Sequence, residues 1–371
     1  MNHYYNPVRT IQGAGSLHTL PETLEQMHLT NRRVLILAWS ETVFAHPVFA
    51  KLDAFQLQTS VFTASNPTIE QLFETYQATR SFSPDAVVAI GGGSIMDVGK
   101  SLCCLYQTDL SDAEELRTYI QAGRFGTPKV RWIGVPTTSG TGSEVTCWAT
   151  IWNPSKDAKR SIENQANYAY AALVDPELTA NMPLKLAVSS ALDATAHAVE
   201  AFWAKHTNTV SRALALQAIR TIMGHMEDLL CGKPEAHEAM AQGSMLAGLA
   251  FSNTKTTACH SISYPLTMHY HIPHGAAVSM LLAPVLELNA PCVDGLESLL
   301  AALGVSDAAM LQQRIRSFLQ RSGQPDTLRG WGVAWEDCSS LAKLGMTKGR
   351  ADNNPVEITA ENIQGILESI Y

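Results

Sequence analysis

The chain has 371 residues, 46% of them hydrophobic, and a formal charge of −8 spread without long runs of one sign. That is enough chain for about two domains with ordinary cores, and the modest acidic balance argues against nucleic acid as a partner. The N-terminal MNHYYNPVRT lacks the regions of a signal peptide and no apolar run looks long enough to span a membrane, so a cytoplasmic protein with no membrane partner is expected.

From residue 1 to about 180, short β-rich runs alternate with helical stretches: RRVLILAW, TSVFTA, DAVVAIGGGS, RWIGVPTT and AALVDPEL. Strands interleaved with helices predict a parallel α/β sheet. From Leu184 onward the apolar spacing is helical, as in SRALALQAIRTIMGHMEDLL and EAMAQGSMLAGLAFS, which predicts a second, all-helical domain. The turn-prone DPELTANMPLK, residues 175–185, divides the two, giving domains 1–180 and 181–371. The seven cysteines include the adjacent Cys103 and Cys104 but no C-x-x-C spacing, so reduced, mostly buried thiols are expected.

DAVVAIGGGSIMDVGK, residues 85–100, reads as a buried strand, a run of glycines with a serine, and a helix. Such a turn lets backbone N–H groups approach a phosphate and aims a helix N-terminus at its charge, although the spacing is not G-x-G-x-x-G. A second small-residue loop, VPTTSGTGSE at 135–144, follows the next strand. Two such loops at the carboxyl ends of strands suit a nucleotide lying across the sheet edge; the bland alternative is a pair of solvent loops.

In LAVSSALDATAHAVEAF, Asp193 and His197 are four residues apart, so both side chains leave one helix face. They sit among Ala, Leu and Val, where an unpaired carboxylate is costly to bury and a metal would offset the cost. His260 and His274 begin two later apolar segments. A carboxylate with three imidazoles suits zinc or ferrous iron better than magnesium or calcium.

GGGSIMDVGK, PTTSGTGSE, ALVDPEL, the D-x-x-x-H helix and two histidines fourteen apart ending in PHG together resemble the iron-containing (group III) alcohol dehydrogenase family, over effectively the whole chain. The resemblance implies a Rossmann-like N-terminal domain for NAD(P)H and a C-terminal helical domain holding Fe2+ or Zn2+, with the active site in the cleft between them. It implies Asp193, His197, His260 and His274 as metal ligands, and Gly91, Gly92, Gly93 and Ser94 as the pyrophosphate cradle. It places Asn66, Asp97, Thr137, Thr138, Ser143 and Lys159 along the cofactor, and implies a homodimer.

Two departures stand out. Trp39 occupies the end of the first strand, where NAD-preferring relatives often carry an aspartate facing the ribose, so NADP stays open beside NAD. Tyr264 stands four after His260, where many relatives carry a proton-relay histidine; Tyr264 or His271 would substitute.

At subgroup level, TTACHSISYPLTMHYHIPHG, GSEVTCWATIW and the NNP ending in ILESIY resemble phosphonoacetaldehyde reductases, also called hydroxyethylphosphonate dehydrogenases. A phosphonate needs cations near the reacting aldehyde. Lys255, five before His260, and Arg350, four before Asn354, are the candidates, against a reading of both as solvated surface charges. The alternatives are a general short-chain alcohol or diol dehydrogenase of the butanol, lactaldehyde or 1,3-propanediol type and, more distantly, a dehydroquinate-synthase-like lyase.

Overall fold

The computed structural model describes residues 3–153, 158–346 and 349–371, with 158–160 described at the backbone only. It divides into two compact units: Asn6–Thr138 with Ser143–Thr179, and Ala180–Tyr371 with Met1–Tyr5 and Ser139–Gly142.

The first unit is built on a six-stranded sheet formed by β1 (Arg9–Gln12), β2 (Arg33–Ala38), β3 (Gln56–Val61), β4 (Ala86–Gly91), β5 (Arg131–Pro136) and β8 (Ala171–Val174). The order is β1-β8-β5-β4-β2-β3 and every pairing is parallel. Apart from Arg33 and Arg131 at the first positions of β2 and β5, its central strands carry no polar side chain, because both faces are covered. Leu35, Leu37, Val87 and Ala89 face one core, which includes residues of α2 (Ile69–Arg80), α3 (Gly93–Leu105) and α4 (Ala113–Ala122). Val34, Ile36, Val88 and Ile90 face the other, with Leu20 and Leu24 of α1 (Leu20–Gln26). That is the period-two alternation of a strand with apolar residues on both sides. The sequence reading missed the antiparallel pair β6 (Trp148–Asn153) and β7 (Ala158–Glu163). The chain runs from β2 to β3 on one side and from β4 to β5 and β8 on the other, so the order reverses between β2 and β4.

The second unit is helical: α5 (Leu184–Trp203), α6 (Thr209–Leu230), α7 (Glu235–Phe251), α8 (Ala258–Tyr270), α9 (His274–Asn289), α10 (Leu296–Leu303), α11 (Ala308–Arg321), α12 (Cys338–Leu344) and α13 (Ala360–Ser369). Helix α5 is its centre, with contacts to α6, α7, α9 and α11. Alanines at 187, 191, 194, 196, 198 and 201, all buried, let the neighbours approach closely. One expectation is corrected here. The sequence alone predicts no apolar run of membrane-spanning length, yet the segment His274–Cys292 is long and apolar enough to cross a membrane by length and composition. It is mostly buried and packs on α5, α8, α11 and α13, the position of a core helix.

All seven cysteines are free, five buried and Cys231 and Cys292 exposed.

Candidate cofactor loops and metal centre

In the sheet unit, β4 ends at Gly91 and α3 starts at Gly93, with Gly92 as an N-cap that offers no side chain to the first N–H groups. The Ile95 and Met96 N–H groups donate to Gly92 O, and the uncapped N–H groups of Gly93 and Ser94 are of the kind that bind anions at helix N-termini. A Cβ on Gly91 would lie 2.3 Å from Ile95 Cγ1, and one on Gly92 3.2 Å from Thr138 Oγ1. Close approach explains glycine at both. The Thr137 N–H donates to Gly91 O at 3.0 Å, and the Asn66 N–H donates to Ser94 Oγ at 3.1 Å. Asn66 holds left-handed backbone, φ 56°, which asparagine tolerates better than most residues. Asn66, Gly91, Gly92, Gly93, Ser94, Thr137 and Thr138 therefore come together at the carboxyl edge of the sheet, next to the point where the strand order reverses. Trp39, at the end of β2, is half exposed there, its N–H donating to Ile90 O.

Asp97 and Ser143 belong to a network that sequence reasoning missed. Lys100 is fully buried and donates to Ser143 Oγ (2.8 Å), Thr146 Oγ1 (2.8 Å) and Trp148 O (2.9 Å). Ser143 Oγ donates to Asp97 Oδ1, and the Thr150 N–H donates to Asp97 Oδ2. Burial lowers the Lys100 ammonium to about 8, against the pull of Asp97. Burial also pushes the neighbouring Glu144 carboxyl up to about 7, against its backbone hydrogen bond and Lys100. Lys159 lies on β7, and its side chain is outside the described residues.

Within the helical unit, Asp193 and His197 leave one face of α5, His260 stands in the first turn of α8 and His274 opens α9. One ligand atom each from Asp193, His260 and His274 lies within 4.8 Å of the others. Asp193 Oδ1 is 3.5 Å from His260 Nε2 and 3.9 Å from His274 Nε2. His197 stands beside this trio: its Nδ1 is 3.9 Å from Asp193 Oδ2, and its ring stacks on His260 at 4.3 Å and Phe251 at 4.2 Å.

Electrostatically the centre is built for charge. Burial pulls the His197 imidazole down to about 4 despite Asp193. Burial of Asp193 is outweighed by His197, His260 and His274, which hold its carboxyl well below the usual carboxylate range. Burial of His260 is outweighed by Glu200 and Asp193, raising it to about 9. Asp193 Oδ1, His197 Nδ1 and His260 Nε2 are buried without a hydrogen-bond partner among the described residues. Such atoms are costly, and a carboxylate with imidazoles is a donor set for Zn2+ or Fe2+. The residues present fit a divalent metal.

Three glycines let the elements of this unit pack closely. A Cβ on Gly275 would lie 2.0 Å from Ser189 O and 3.1 Å from Asp193 Cβ, so the glycine of PHG lets α9 close on α5. In the Ser139–Gly142 segment, Cβ atoms would lie 2.9 Å from Ser190 Cβ at Gly140 and 2.5 Å from Gly248 Cα at Gly142. The glycines of the second loop thus serve packing within the helical unit, a different role from the one their spacing suggested.

The remaining candidates separate. Tyr264, one turn after His260 on α8, is buried with its ring parallel to that of His274 at 6.0 Å. His271 is the exposed, left-handed C-cap of α8. Lys255 is half buried with φ 61°, and Arg350 is half buried. The Asn353 side-chain amide donates to Thr254 O (2.8 Å) and Thr256 O (3.1 Å), straddling Lys255, while the Asn353 N–H donates to Arg350 O. The two cation-bearing loops are thereby clamped together.

A parallel sheet with a glycine-rich strand-to-helix turn and a helical unit with a buried Asp–His cluster define a metal-dependent, dinucleotide-linked oxidoreductase. Residues 7–176 match the family profile "Iron-containing alcohol dehydrogenase" and residues 187–371 match "Fe-containing alcohol dehydrogenase family, C-terminal". The chain belongs to the iron-containing alcohol dehydrogenase family, whose members act on alcohols with NAD(P) and use iron or another divalent metal. It is similar to sulfoacetaldehyde reductase from Bifidobacterium kashiwanohense, solved with NAD+, at 27% identity and TM-score 0.90, covering 100% of this chain and 98% of that one. It is 29% identical to the lactaldehyde reductase of Escherichia coli (strain K12) over 86% of each chain. To the NADPH-dependent butanol dehydrogenase of Clostridium saccharobutylicum it is 27% identical over 82% of this chain and 81% of that one. These matches set aside the lyase alternative.

Proposed function

We propose that this metal-dependent, NAD(P)-linked dehydrogenase reduces a short anionic aldehyde, phosphonoacetaldehyde, to 2-hydroxyethylphosphonate. The observation that carries the reading is the Asn353 clamp, which holds the Arg350 loop against the Lys255 loop three residues before α8, whose first turn bears His260. Likeness to a sulfoacetaldehyde reductase, whose substrate is also a two-carbon aldehyde with an anionic head, supports it.

Asp193, His197, His260 and His274 would hold the metal, and Gly91, Gly92, Gly93, Ser94, Asn66, Thr137 and Thr138 the cofactor, with Asp97, Ser143 and Lys159 behind them. When bound, the metal supplies Lewis-acid polarisation of a carbonyl and the reduced nicotinamide supplies hydride. Arg350 and Lys255 bind the phosphonate oxygens and orient the aldehyde. The Tyr264 hydroxyl, buried beside His274, holds the proton that completes the alcohol; exposed His271 does not serve. The protein works as a homodimer in the cytoplasm, and light scattering at assay concentration tests the dimer.

Arg350→Ala should raise KM for phosphonoacetaldehyde roughly 10- to 100-fold, the value of about 1.5–3 kcal/mol for a charge-assisted hydrogen bond, and leave KM for butanal nearly unchanged. Cofactor-oxidation assays over phosphonoacetaldehyde, lactaldehyde and butanal with NADH and NADPH separately provide the measurement. Equal effects on charged and uncharged aldehydes, or faster turnover of lactaldehyde or butanal by the wild type, would establish the second reading, favoured by the likeness to lactaldehyde reductase and butanol dehydrogenase.

A further inference from the structure

Glu200 lies seven residues beyond Asp193 on α5, two turns along the same face, and its side chain is fully buried. Every partner of its carboxylate belongs to the start of α8 or the residue before it. Oε1 accepts from Thr257 Oγ1 at 2.8 Å, from the Cys259 N–H at 2.7 Å and from the His260 N–H at 3.4 Å. Oε2 pairs with His260 Nδ1. Thr257 Oγ1 in turn accepts from Trp203 Nε1 at 2.9 Å, which ties the end of α5 into the same chain of bonds. Helix α8 has no side-chain cap of its own at Thr257, so a carboxylate from another helix takes over both the capping and the compensation of its dipole.

The geometry assigns Glu200 as the positioning residue of the metal centre: it caps α8 and holds the His260 proton on Nδ1, so that Nε2 turns a lone pair toward Asp193 and His274. The inference rests on the reading of that cluster as the metal site. It follows from what each partner can do. A carboxylate only accepts, so His260 Nδ1 must donate to it, and the neutral ring then has its free lone pair on Nε2. Carboxylate partners of ligating histidines fix the tautomer and raise ligand basicity, and their loss costs about 10- to 100-fold in metal affinity.

Glu200→Gln separates this role from packing. The Cys259 N–H can only donate, so the amide oxygen must face it, which leaves the amide N–H groups facing His260 Nδ1. That ring nitrogen becomes an acceptor and the proton moves to Nε2, the atom the metal needs. Titration of the metal-free protein with Zn2+ against a chromophoric chelator should show a roughly 10- to 100-fold weaker Kd for Glu200→Gln, with the metal-free melting temperature close to wild type. Thr257→Val keeps the carboxylate and removes one of its anchors; a several-fold loss is expected, and this variant decides the matter if Glu200→Gln fails to fold. Unchanged Zn2+ affinity, or a lowered metal-free melting temperature with unchanged affinity, would overturn the assignment. Failure of the wild type itself to bind Zn2+ would instead strike the reading of the cluster as a metal site.

Discussion

Lys100 and Asp193 are both ionisable side chains buried inside their own units, and their surroundings differ in kind. Lys100 has three N–H donors and three acceptors at 2.8–2.9 Å. The Asp193 carboxylate has three imidazoles around it, His260 and His274 at Oδ1 and His197 at Oδ2, and its Oδ1 has no hydrogen bond among the described residues. A buried charge with every partner supplied by the protein is structural, here a brace between α3 and the segment that leads into β6. Buried polar atoms converging on one another without satisfaction mark a place that a ligand completes. Charge and burial alone do not distinguish the two cases; satisfaction does.

The strongest break of this contrast should come from Gly275→Ala. Its Cβ would meet the Ser189 carbonyl at 2.0 Å, so α9 must shift and carry His274 away from Asp193. A loss of about 3 kcal/mol, at the upper end for overpacking, is expected in denaturant unfolding, together with loss of high-affinity metal. Wild-type metal affinity in this variant would show that the approach of α9 does not set the site.

Lys100→Met tests the other side. It leaves Ser143 Oγ, Thr146 Oγ1 and Trp148 O without their donor, and removing one member of a buried ionic network costs about 3 kcal/mol. Unlike Gly275→Ala, it should leave the Zn2+ affinity of the helical unit where it was. A changed metal Kd would mean that the contrast between the two regions is wrong.

Glu144 gives the smallest effect and sharpens the first side through pH. Its folded value of about 7 exceeds the ordinary 4.5, so between these pH values the native state binds more protons than the unfolded state and stability falls as pH rises. Glu144→Gln should remove that slope. Its stability relative to wild type should rise by about 2 kcal/mol from pH 4.5 to 7, read from paired melting curves. Lys100, lowered to about 8 from 10.5, acts in a separate window, with stability rising from pH 8 to 10.5 as the buried ammonium is relieved of its charge. A flat difference between Glu144→Gln and wild type would mean that the carboxyl is not held protonated.

Much of the site is legible in the sequence because its signals are local. Gly91–Ser94 between a buried strand and a helix, and Asp193 and His197 at helical spacing, are read from neighbouring residues. Glu200 extends that spacing to i+7 among alanines, a signal that was present and passed over. Lys100, a lysine in the otherwise apolar DVGKSLCCL, was another. The reason for glycine at 275 was not available, because it depends on a carbonyl 86 positions earlier in the chain. The β6–β7 pair was missed because its strands carry no clean alternation.

By itself the sequence determined the order of elements, a parallel α/β half followed by a helical half, and the kinds of groups at the site, because periodicity, turn chemistry and ligand type are properties of short segments. Only the tertiary structure decided which buried charges are satisfied. The partners of Glu200 are up to 60 residues away and those of Lys100 up to 48, and a hydrogen bond at 2.8 Å depends on packing that no local pattern specifies. The same physics made Asp97 and Ser143 members of an internal network, seated Gly140 and Gly142 against α5 and α7 of their own unit, and gathered Asp193, His260 and His274 while stacking His197 beside them.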